Sequence, residues 1–187
     1  MIICVVGTSG SGKTTSCEYI ELEFGIPFVE VSNIIWEKYY NSSATGDVRE
    51  YVKNQYKRTG KDIFALPAIN QAEKLDTNIK IFCGFRTIEA INSVREFYDE
   101  RSIFILGIHS NSNLKYQRIK DRDRHEGISY GVELQKELLE YRIGVAEIFE
   151  REVDKIIVNE GSINDFYKDV YQYIQSKLSR FDNAPQL

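Results

Sequence analysis

The stretch Gly7-Thr8-Ser9-Gly10-Ser11-Gly12-Lys13-Thr14 matches the pattern G-x-x-x-x-G-K-T in full. It follows the apolar run from Ile2 to Val6 and precedes a pattern with helical spacing, which is the context that a phosphate-binding loop requires. Glycines let such a loop curl until successive backbone N–H groups face one concavity, where they bind oxyanions. The alternative is a Gly/Ser-rich turn without a ligand, but the strand before and the helix after argue against coincidence.

The residue types of the loop predict binding of a nucleoside triphosphate with magnesium. Lys13 can reach the β- and γ-phosphates, and the hydroxyl of Thr14 can bind Mg²⁺ directly. The free N–H groups at the start of the following helix favour negative charge as well. We therefore expect ATP and Mg²⁺ as cofactors. The residues expected to contact the nucleotide from this stretch are Gly7, Ser9, Gly10, Ser11, Gly12, Lys13, Thr14 and Thr15.

Length and composition indicate one α/β domain in the cytoplasm. A chain of 187 residues can bury about 70% of its unfolded surface. The net charge of −4 argues against non-specific binding to nucleic acid or to anionic membranes as the main task. Cys4, Cys17 and Cys83 lack a C-x-x-C spacing and are expected to be buried, reduced thiols. No apolar run approaches 18 residues, and the N-terminus lacks the pattern of a signal peptide.

Strand and helix patterns alternate along the chain. The apolar runs predict five strands, at 2–6, 28–31, 79–83, 103–108 and 156–158. Five such units with a phosphate-binding loop after the first strand predict a doubly wound, five-stranded parallel sheet. Ligands of such sheets bind at the carboxyl ends of the strands. Two segments exceed a minimal crossover, at about 32–77 and 118–131, and long insertions at the ligand end are commonly lids or substrate clamps.

The same patterns give several local expectations. Ser32 is expected to cap the helix that runs to Tyr40. The helix after the second insertion is expected to bury Leu138, and the last helix to bury Ile163. The single domain is expected to span residues 1–178, with a flexible tail at 179–187.

Three further motifs identify a family. Gly84-Phe85-Arg86 follows the third strand; Arg118, Arg122 and Arg124 form an R-x-x-x-R-x-R pattern; and residues 153–162 match part of A-D-x-x-I-x-N-x-G-S. With these motifs the chain resembles the adenylate-kinase-like nucleoside and nucleotide kinases over about residues 1–178. It is most similar to the branch of dephospho-CoA-kinase-like and archaeal adenylate-kinase-related proteins. The resemblance implies the strand order 2-3-1-4-5, an acceptor-binding insertion at about 32–77, and a lid at about 118–131.

The resemblance also implies roles for polar residues at the ligand end of the sheet. Arg122 and Arg124 would bind phosphates from the lid, because the charge of a transferring phosphoryl group spreads onto its non-bridging oxygens. Arg118 would lie at the base or sugar, and Asn159 and Gly161 would approach the adenine through backbone atoms. Arg86, directly after a buried strand, would bind the acceptor or a phosphate. The alternative for the three lid arginines is a solvated helix end.

The chain departs from the family at the end of the third strand, where an acidic residue usually binds Mg²⁺ through water. Cys83 stands there, and a thiol is a poor ligand for this hard cation. Glu30, at the end of the second strand, is our first choice for a carboxylate that orients the waters of the metal. It could also take the proton of an acceptor hydroxyl, or be an ordinary strand-end carboxylate.

Other polar and aromatic residues receive ordinary interpretations. Trp36, Tyr39 and Tyr40 are interpreted as core residues, with stacking on a base as the alternative. Asp47 and Arg49 are interpreted as surface residues, with acceptor contact as the alternative. Two isolated histidines argue against a zinc site.

The main functional hypothesis is a small-molecule kinase that passes the γ-phosphoryl group of ATP to a nucleoside or deoxynucleoside monophosphate. The alternative acceptors are dephospho-CoA, a free nucleoside or a modified base within a polynucleotide. A third possibility is a nucleotide-dependent switch that hydrolyses ATP slowly and acts on a protein partner. We expect a monomer or a homodimer that does not bind membranes.

Overall fold

The strands of the protein lie where the apolar runs predict them. The computed structural model describes residues 1–99, 102–123 and 129–182. Within them the strands are β1 (Ile2–Val6), β2 (Phe28–Glu30), β3 (Lys80–Cys83), β4 (Ile103–His109) and β5 (Lys155–Val158). All pairings are parallel, and the order is β2-β3-β1-β4-β5. The predicted doubly wound parallel sheet and its strand order are confirmed.

Helices connect the strands and cover both faces of the sheet. They are α1 (Lys13–Phe24), α2 (Val31–Tyr40), α3 (Val48–Thr59), α4 (Ala65–Ala72), α5 (Ile88–Phe97), α6 (Ser112–Asp123), α7 (Tyr130–Glu140), α8 (Ala146–Arg151) and α9 (Ile163–Asp182). A wide π-type turn, Tyr141–Val145, joins α7 to α8 and contains a kink at Gly144. The first long insertion therefore consists of three helices, and the crossover from β4 to β5 contains three more.

The central strand shows why the sheet is buried on both faces. Successive side chains of a strand point to opposite sides, so a fully apolar strand contributes to two cores. Ile2, Cys4 and Val6 pack with residues of α4, α5 and α8. Ile3 and Val5 pack on the other side with residues of α1 and α9. Each fully buried isoleucine contributes about 1.5–3 kcal/mol, so these two layers account for much of the stability of the fold.

Some local expectations were wrong. Ser32 lies in the first turn of α2, and Glu30 is the capping residue, because its carboxylate accepts a hydrogen bond from the Ser32 N–H. Leu138 and Ile163 are about half exposed, at 46% and 50%. Trp36 and Tyr40 are exposed rather than core residues.

Two further observations concern the ends and the surface of the chain. Helix α9 continues to Asp182, beyond the predicted start of the tail at residue 179. The three cysteines are buried and unpaired, as predicted. Among the described residues, no helix combines the length and the apolar character needed to cross a membrane.

Candidate active site

The phosphate-binding loop connects β1 to α1 at the carboxyl edge of the sheet. Gly7, Gly10 and Gly12 have φ angles of 152°, 77° and 108°, which residues other than glycine rarely adopt. A Cβ atom at Gly12 would overlap the side-chain amide of Asn159, just past β5. The loop is thus held tightly between α1 and the ends of β4 and β5, and glycine is required at its tightest contacts.

The loop lines a cleft of about 340 Å³, a volume typical of small-molecule sites. Helices α2 and α3 contribute an apolar wall on one side of this cleft, and α7 closes another side. The wall consists of Ile35, Trp36, Val48 and Val52. The predicted residues that face the same space are Ser9, Gly10, Gly12, Lys13, Thr14, Thr15, Glu30 and Arg86. Ser11 is buried beneath the loop and does not line the cleft. The structure therefore brings most of the predicted phosphate-contacting residues together in one cleft.

Lys13 lies at the start of α1, and its Nζ atom donates a hydrogen bond to the Thr8 carbonyl at 3.0 Å. Burial lowers the pKa of the Lys13 amine, and the largest opposing contribution, which raises this pKa, comes from Cys83. Glu30 and Glu140 also favour the charged form, whereas Arg86 disfavours it. An added phosphate beside this amine would therefore compensate a cation that the protein alone balances only in part.

Thr14 and Glu30 form a pair of hard oxygen donors in the cleft. The Thr14 hydroxyl donates to a Glu30 oxygen at 2.9 Å, and the other carboxylate oxygen accepts from the Ser32 hydroxyl at 3.0 Å. Glu30 is the direct neighbour of Cys83 across the β2–β3 pairing. The carboxylate thus lies one strand away from Cys83, the position where the sequence comparison leads us to expect an acidic residue.

These oxygens fit a magnesium ion that keeps most of its ligands from phosphate and water. Mg²⁺ prefers oxygen ligands and usually binds one or two protein groups together with substrate phosphates. The described residues contain no group of three or more His, Cys, Asp or Glu side chains that could hold a metal by itself. A site built from Thr14, Glu30 and the nucleotide is compatible with both observations.

Sequence reasoning missed Glu140, the last residue of α7. One of its carboxylate oxygens accepts from the Ser9 backbone N–H at 2.7 Å, and the other accepts from the Ser9 hydroxyl at 2.6 Å. The guanidinium of Arg86 pairs with the same carboxylate at 3.2 Å. Burial alone would raise the pKa of Glu140, but Arg86, Ser9 and Lys13 together lower it. This carboxyl group is therefore ionised at neutral pH.

A signal for this residue exists in the sequence. Charged residues at 133, 136, 137 and 140 recur with the i, i+3, i+4, i+7 spacing of one helix face. Such a face indicates a surface directed at a charged site when the helix belongs to the ligand end of the sheet.

Lys115 is a second buried charge that the sequence analysis did not single out. It is 3% exposed, donates to the Thr8 hydroxyl at 3.1 Å and forms an ion pair with Glu137. Ile119, one turn later, lies against Gly10. Helices α6 and α7 are thereby tied to the phosphate-binding loop through one buried pair.

Arg118 contacts the ends of β4 and β5. Its guanidinium donates to the Ser110 hydroxyl at 2.9 Å and to the carbonyl and side-chain oxygens of Asn159, both at 3.1 Å. The Asn159 amide in turn donates to the Ser11 carbonyl at 2.9 Å. Asn159 thus supports the loop directly and Arg118 supports it through Asn159, roles that the sequence did not predict. Gly161 lies in the exposed turn before α9.

Two predicted lid residues cannot be placed. The side chain of Arg122 and the whole of Arg124 lie outside the described residues, as do residues 125–128 of the predicted lid. The roles assigned to these arginines stay predictions, as do the roles of the other site residues.

The fold and the loop define a protein with the architecture of the P-loop kinases. Solved structures with this arrangement include a shikimate kinase from Acinetobacter baumannii in complex with shikimate, with a TM-score of 0.59, 20% identity and coverage of 94% and 93% of the two chains. A gluconokinase from Sinorhizobium meliloti 1021 gives a TM-score of 0.61 at 14% identity, with 97% and 96% covered. These similarities confirm the general fold but do not single out the adenylate-kinase branch.

Among curated proteins, the chain is similar to members of a group called UPF0200. A UPF0200 protein of Sulfurisphaera tokodaii is 28% identical over 168 residues, covering 88% of this chain and 90% of the relative. One of Pyrobaculum aerophilum is 28% identical over 173 residues, covering 90% and 94%. One of Thermococcus gammatolerans is 23% identical over 181 residues, covering 94% of each. No protein-family model matches the chain.

Proposed function

We propose that the chain is a kinase that transfers the γ-phosphoryl group of ATP to a small acceptor, most favourably a nucleoside or deoxynucleoside monophosphate. One observation carries the proposal: the phosphate-binding loop and the apolar wall of α2 and α3 line the same cleft. The loop suits a polyphosphate, whereas Ile35, Trp36 and Val52 suit a planar apolar body such as a base. Arg86 lines the same cleft and supplies a cation for the phosphate of the acceptor.

The residues of the cleft act by positioning and by charge stabilisation. Lys13 and the loop N–H groups hold the transferring group, and Arg86 stabilises the negative charge that develops on its oxygens. Arg122 and Arg124 add charge from the lid, and Arg118 holds the nucleotide side of the loop. Thr14 would hold Mg²⁺ and Glu30 would orient its waters, and the bound ion would supply positive charge to the phosphates. For a monophosphate acceptor the attacking atom is an anionic phosphate oxygen, so no catalytic base is needed.

A hydroxyl acceptor is the second candidate, and the position of Glu30 favours it. A hydroxyl must lose its proton as it attacks, and Glu30 supplies a carboxylate in the cleft, within 2.9 Å of Thr14. Similar structures include enzymes named for shikimate and gluconate, which carry hydroxyl groups. The apolar wall argues for the nucleotide, because a small polyhydroxylated acid would cover less of this apolar surface than a base would.

A panel of acceptors tests the proposal. ADP production from ATP and Mg²⁺ is measured with nucleoside monophosphates, nucleosides, dephospho-CoA, shikimate and gluconate, and with Lys13→Ala as the inactive control. Turnover that depends on a monophosphate supports the first candidate, and turnover that depends on a hydroxyl compound supports the second. ADP production that no acceptor changes would instead indicate an ATPase that acts as a switch.

Glu30→Gln then separates the two kinase candidates. General-base catalysis contributes about 10²- to 10⁴-fold, so the variant should lose that factor with a hydroxyl acceptor. With a phosphate acceptor there is no proton to remove, and the loss should be confined to a higher Mg²⁺ requirement. An unchanged rate at every Mg²⁺ concentration would remove Glu30 from the mechanism.

A further inference from the structure

Glu140 occupies donors that belong to an anion-binding site. Its side chain is 7% exposed and accepts from the Ser9 N–H, the Ser9 hydroxyl and the Arg86 guanidinium. A backbone N–H of a phosphate-binding loop and a guanidinium together commonly bind a phosphoryl group. The carboxylate therefore lies where an incoming phosphoryl group would find its hydrogen-bond partners.

The position along the loop identifies which phosphoryl group this would be. The N-terminus of α1, at Lys13 and Thr14, holds the phosphates nearest the helix dipole. Ser9 lies four residues earlier, on the side of the cleft that Arg86 and α7 close. A terminal γ-phosphoryl group would reach this side, whereas the two phosphates of a diphosphate would remain nearer to α1.

We propose that Glu140 is a specificity-determining residue, an internal anion that a nucleoside triphosphate must displace from Ser9 and Arg86 and that a diphosphate leaves in place. The proposal rests on the proposed binding of a nucleotide to the loop. One N–H group donates fully to one acceptor, so carboxylate and γ-phosphoryl group compete for the Ser9 N–H. The two anions also repel each other in a partly dehydrated cleft, where charges interact more strongly than in water.

The backbone after Glu140 is packed against the segment that carries Arg86. The π-type turn Tyr141–Val145 begins at the next residue, and Gly144 within it has a φ angle of 157°. A Cβ atom at Gly144 would lie 2.7 Å from the Arg86 carbonyl, so this turn crosses directly over the segment that carries Arg86. A displacement of the Glu140 carboxylate would therefore move the end of α7 and the Arg86 segment together.

Glu140→Gln tests the proposal, because glutamine keeps the shape of the side chain and removes its charge. Dissociation constants of ADP and of a non-hydrolysable ATP analogue are measured by isothermal titration calorimetry in the presence of Mg²⁺. The ATP analogue should bind at least tenfold more tightly to the variant, about 1.4 kcal/mol, while the ADP constant changes less than twofold. Glu147→Gln is the matched control, since it removes the same charge from an exposed pair with Arg151.

The outcomes separate this inference from the proposed function. An unchanged ratio of the two constants, or a shift in favour of ADP, would overturn the role of Glu140. Glu140→Ala provides a second variant if glutamine disturbs folding, and the same shift in the ratio is expected. A wild-type protein that binds neither ligand would overturn nucleotide binding and this inference with it.

Discussion

Gly12→Ala is the substitution whose cost can be worked out most fully. At a φ of 108° an alanine is strained, by about 1–3 kcal/mol. Its Cβ atom also overlaps the Asn159 amide, which must move and give up its hydrogen bond to the Ser11 carbonyl. Leaving that buried carbonyl unsatisfied costs about 1–3 kcal/mol. We therefore expect a loss of about 2–6 kcal/mol in the free energy of unfolding.

Gly25→Ala is the matched control, because Gly25 also has a positive φ, 66°, but no atom within 4 Å of the added Cβ. The control carries only the backbone term, about 1–2 kcal/mol. Urea denaturation followed by circular dichroism gives both free energies. A third variant, Asn159→Ala, lacks the side-chain amide that the new Cβ atom would overlap. In that background Gly12→Ala should cost about 1–3 kcal/mol less than it does in the wild type.

Losses in the free energy of unfolding that differ by less than about 0.5 kcal/mol between Gly12→Ala and Gly25→Ala would refute this expectation, because effects of independent sites already scatter by about that amount. Strict additivity of Gly12→Ala and Asn159→Ala would refute it as well. Either result would mean that the contact between the loop and the end of β5 does not constrain the loop.

Three further outcomes are expected. Lys13→Ala should lower turnover about 10²- to 10³-fold with only a small change in the melting temperature, because the side chain gives the loop one hydrogen bond, to the Thr8 carbonyl, and the cost of burying its charge offsets that contribution; a large loss in thermal stability would contradict this. The pKa of Glu140 is lowered from its ordinary value of 4.5, so its charge stabilises the fold above that value and ceases to do so as the pH falls. Urea midpoints of wild type and Glu140→Gln should therefore converge as the pH falls below 4.5, and a gap that widens there would be inconsistent. Phe82→Ala should cost about 3–5 kcal/mol in urea denaturation, since Phe82 is fully buried, whereas Phe97→Ala, with Phe97 half exposed, should cost far less.

The sheet and its ligand edge could be predicted because their signals are local. Continuous apolar runs identify strands buried on both faces, and the glycines and lysine of the loop carry their chemistry in one contiguous stretch. Glu30 and Arg86 could be assigned to the cleft because Glu30 ends β2 and Arg86 lies three residues after the end of β3. Position after a parallel strand is enough to place a residue at the ligand edge.

Glu140 and Lys115 could not be identified in the same way, because their partners lie far away in the sequence. Ser9 is 131 residues from Glu140, and Thr8 is 107 residues from Lys115. The spacing of the apolar residues in α7 also predicts Leu138 inside, whereas Glu140 is buried and Leu138 is half exposed. Buried ion pairs invert the usual inside-apolar pattern, so periodicity alone gives the wrong helix face.

Local chemistry misled two of the smaller expectations. A serine before a helix is a good cap, but here the Glu30 carboxylate accepts the hydrogen bond of the Ser32 N–H. The helix therefore begins one residue earlier, at Val31. Ile163 is the first residue of α9, where the helix has not yet met the sheet, and the inward face begins at Phe166.

The three buried thiols can report when a helix layer detaches from the sheet. Cys4 belongs to the core beneath α4, α5 and α8, whereas Cys17 and Cys83 belong to the core beneath α1 and α9. Burial raises the pKa of Cys4 to about 12 and that of Cys17 well above its ordinary value, so neither carries thiolate at neutral pH while the fold is closed. A thiol-specific reagent can modify them only when a layer detaches, and mass spectrometry of the labelled peptides shows which layer it was. Labelling rates would thus time the opening of the two faces of the sheet separately, without any engineered probe.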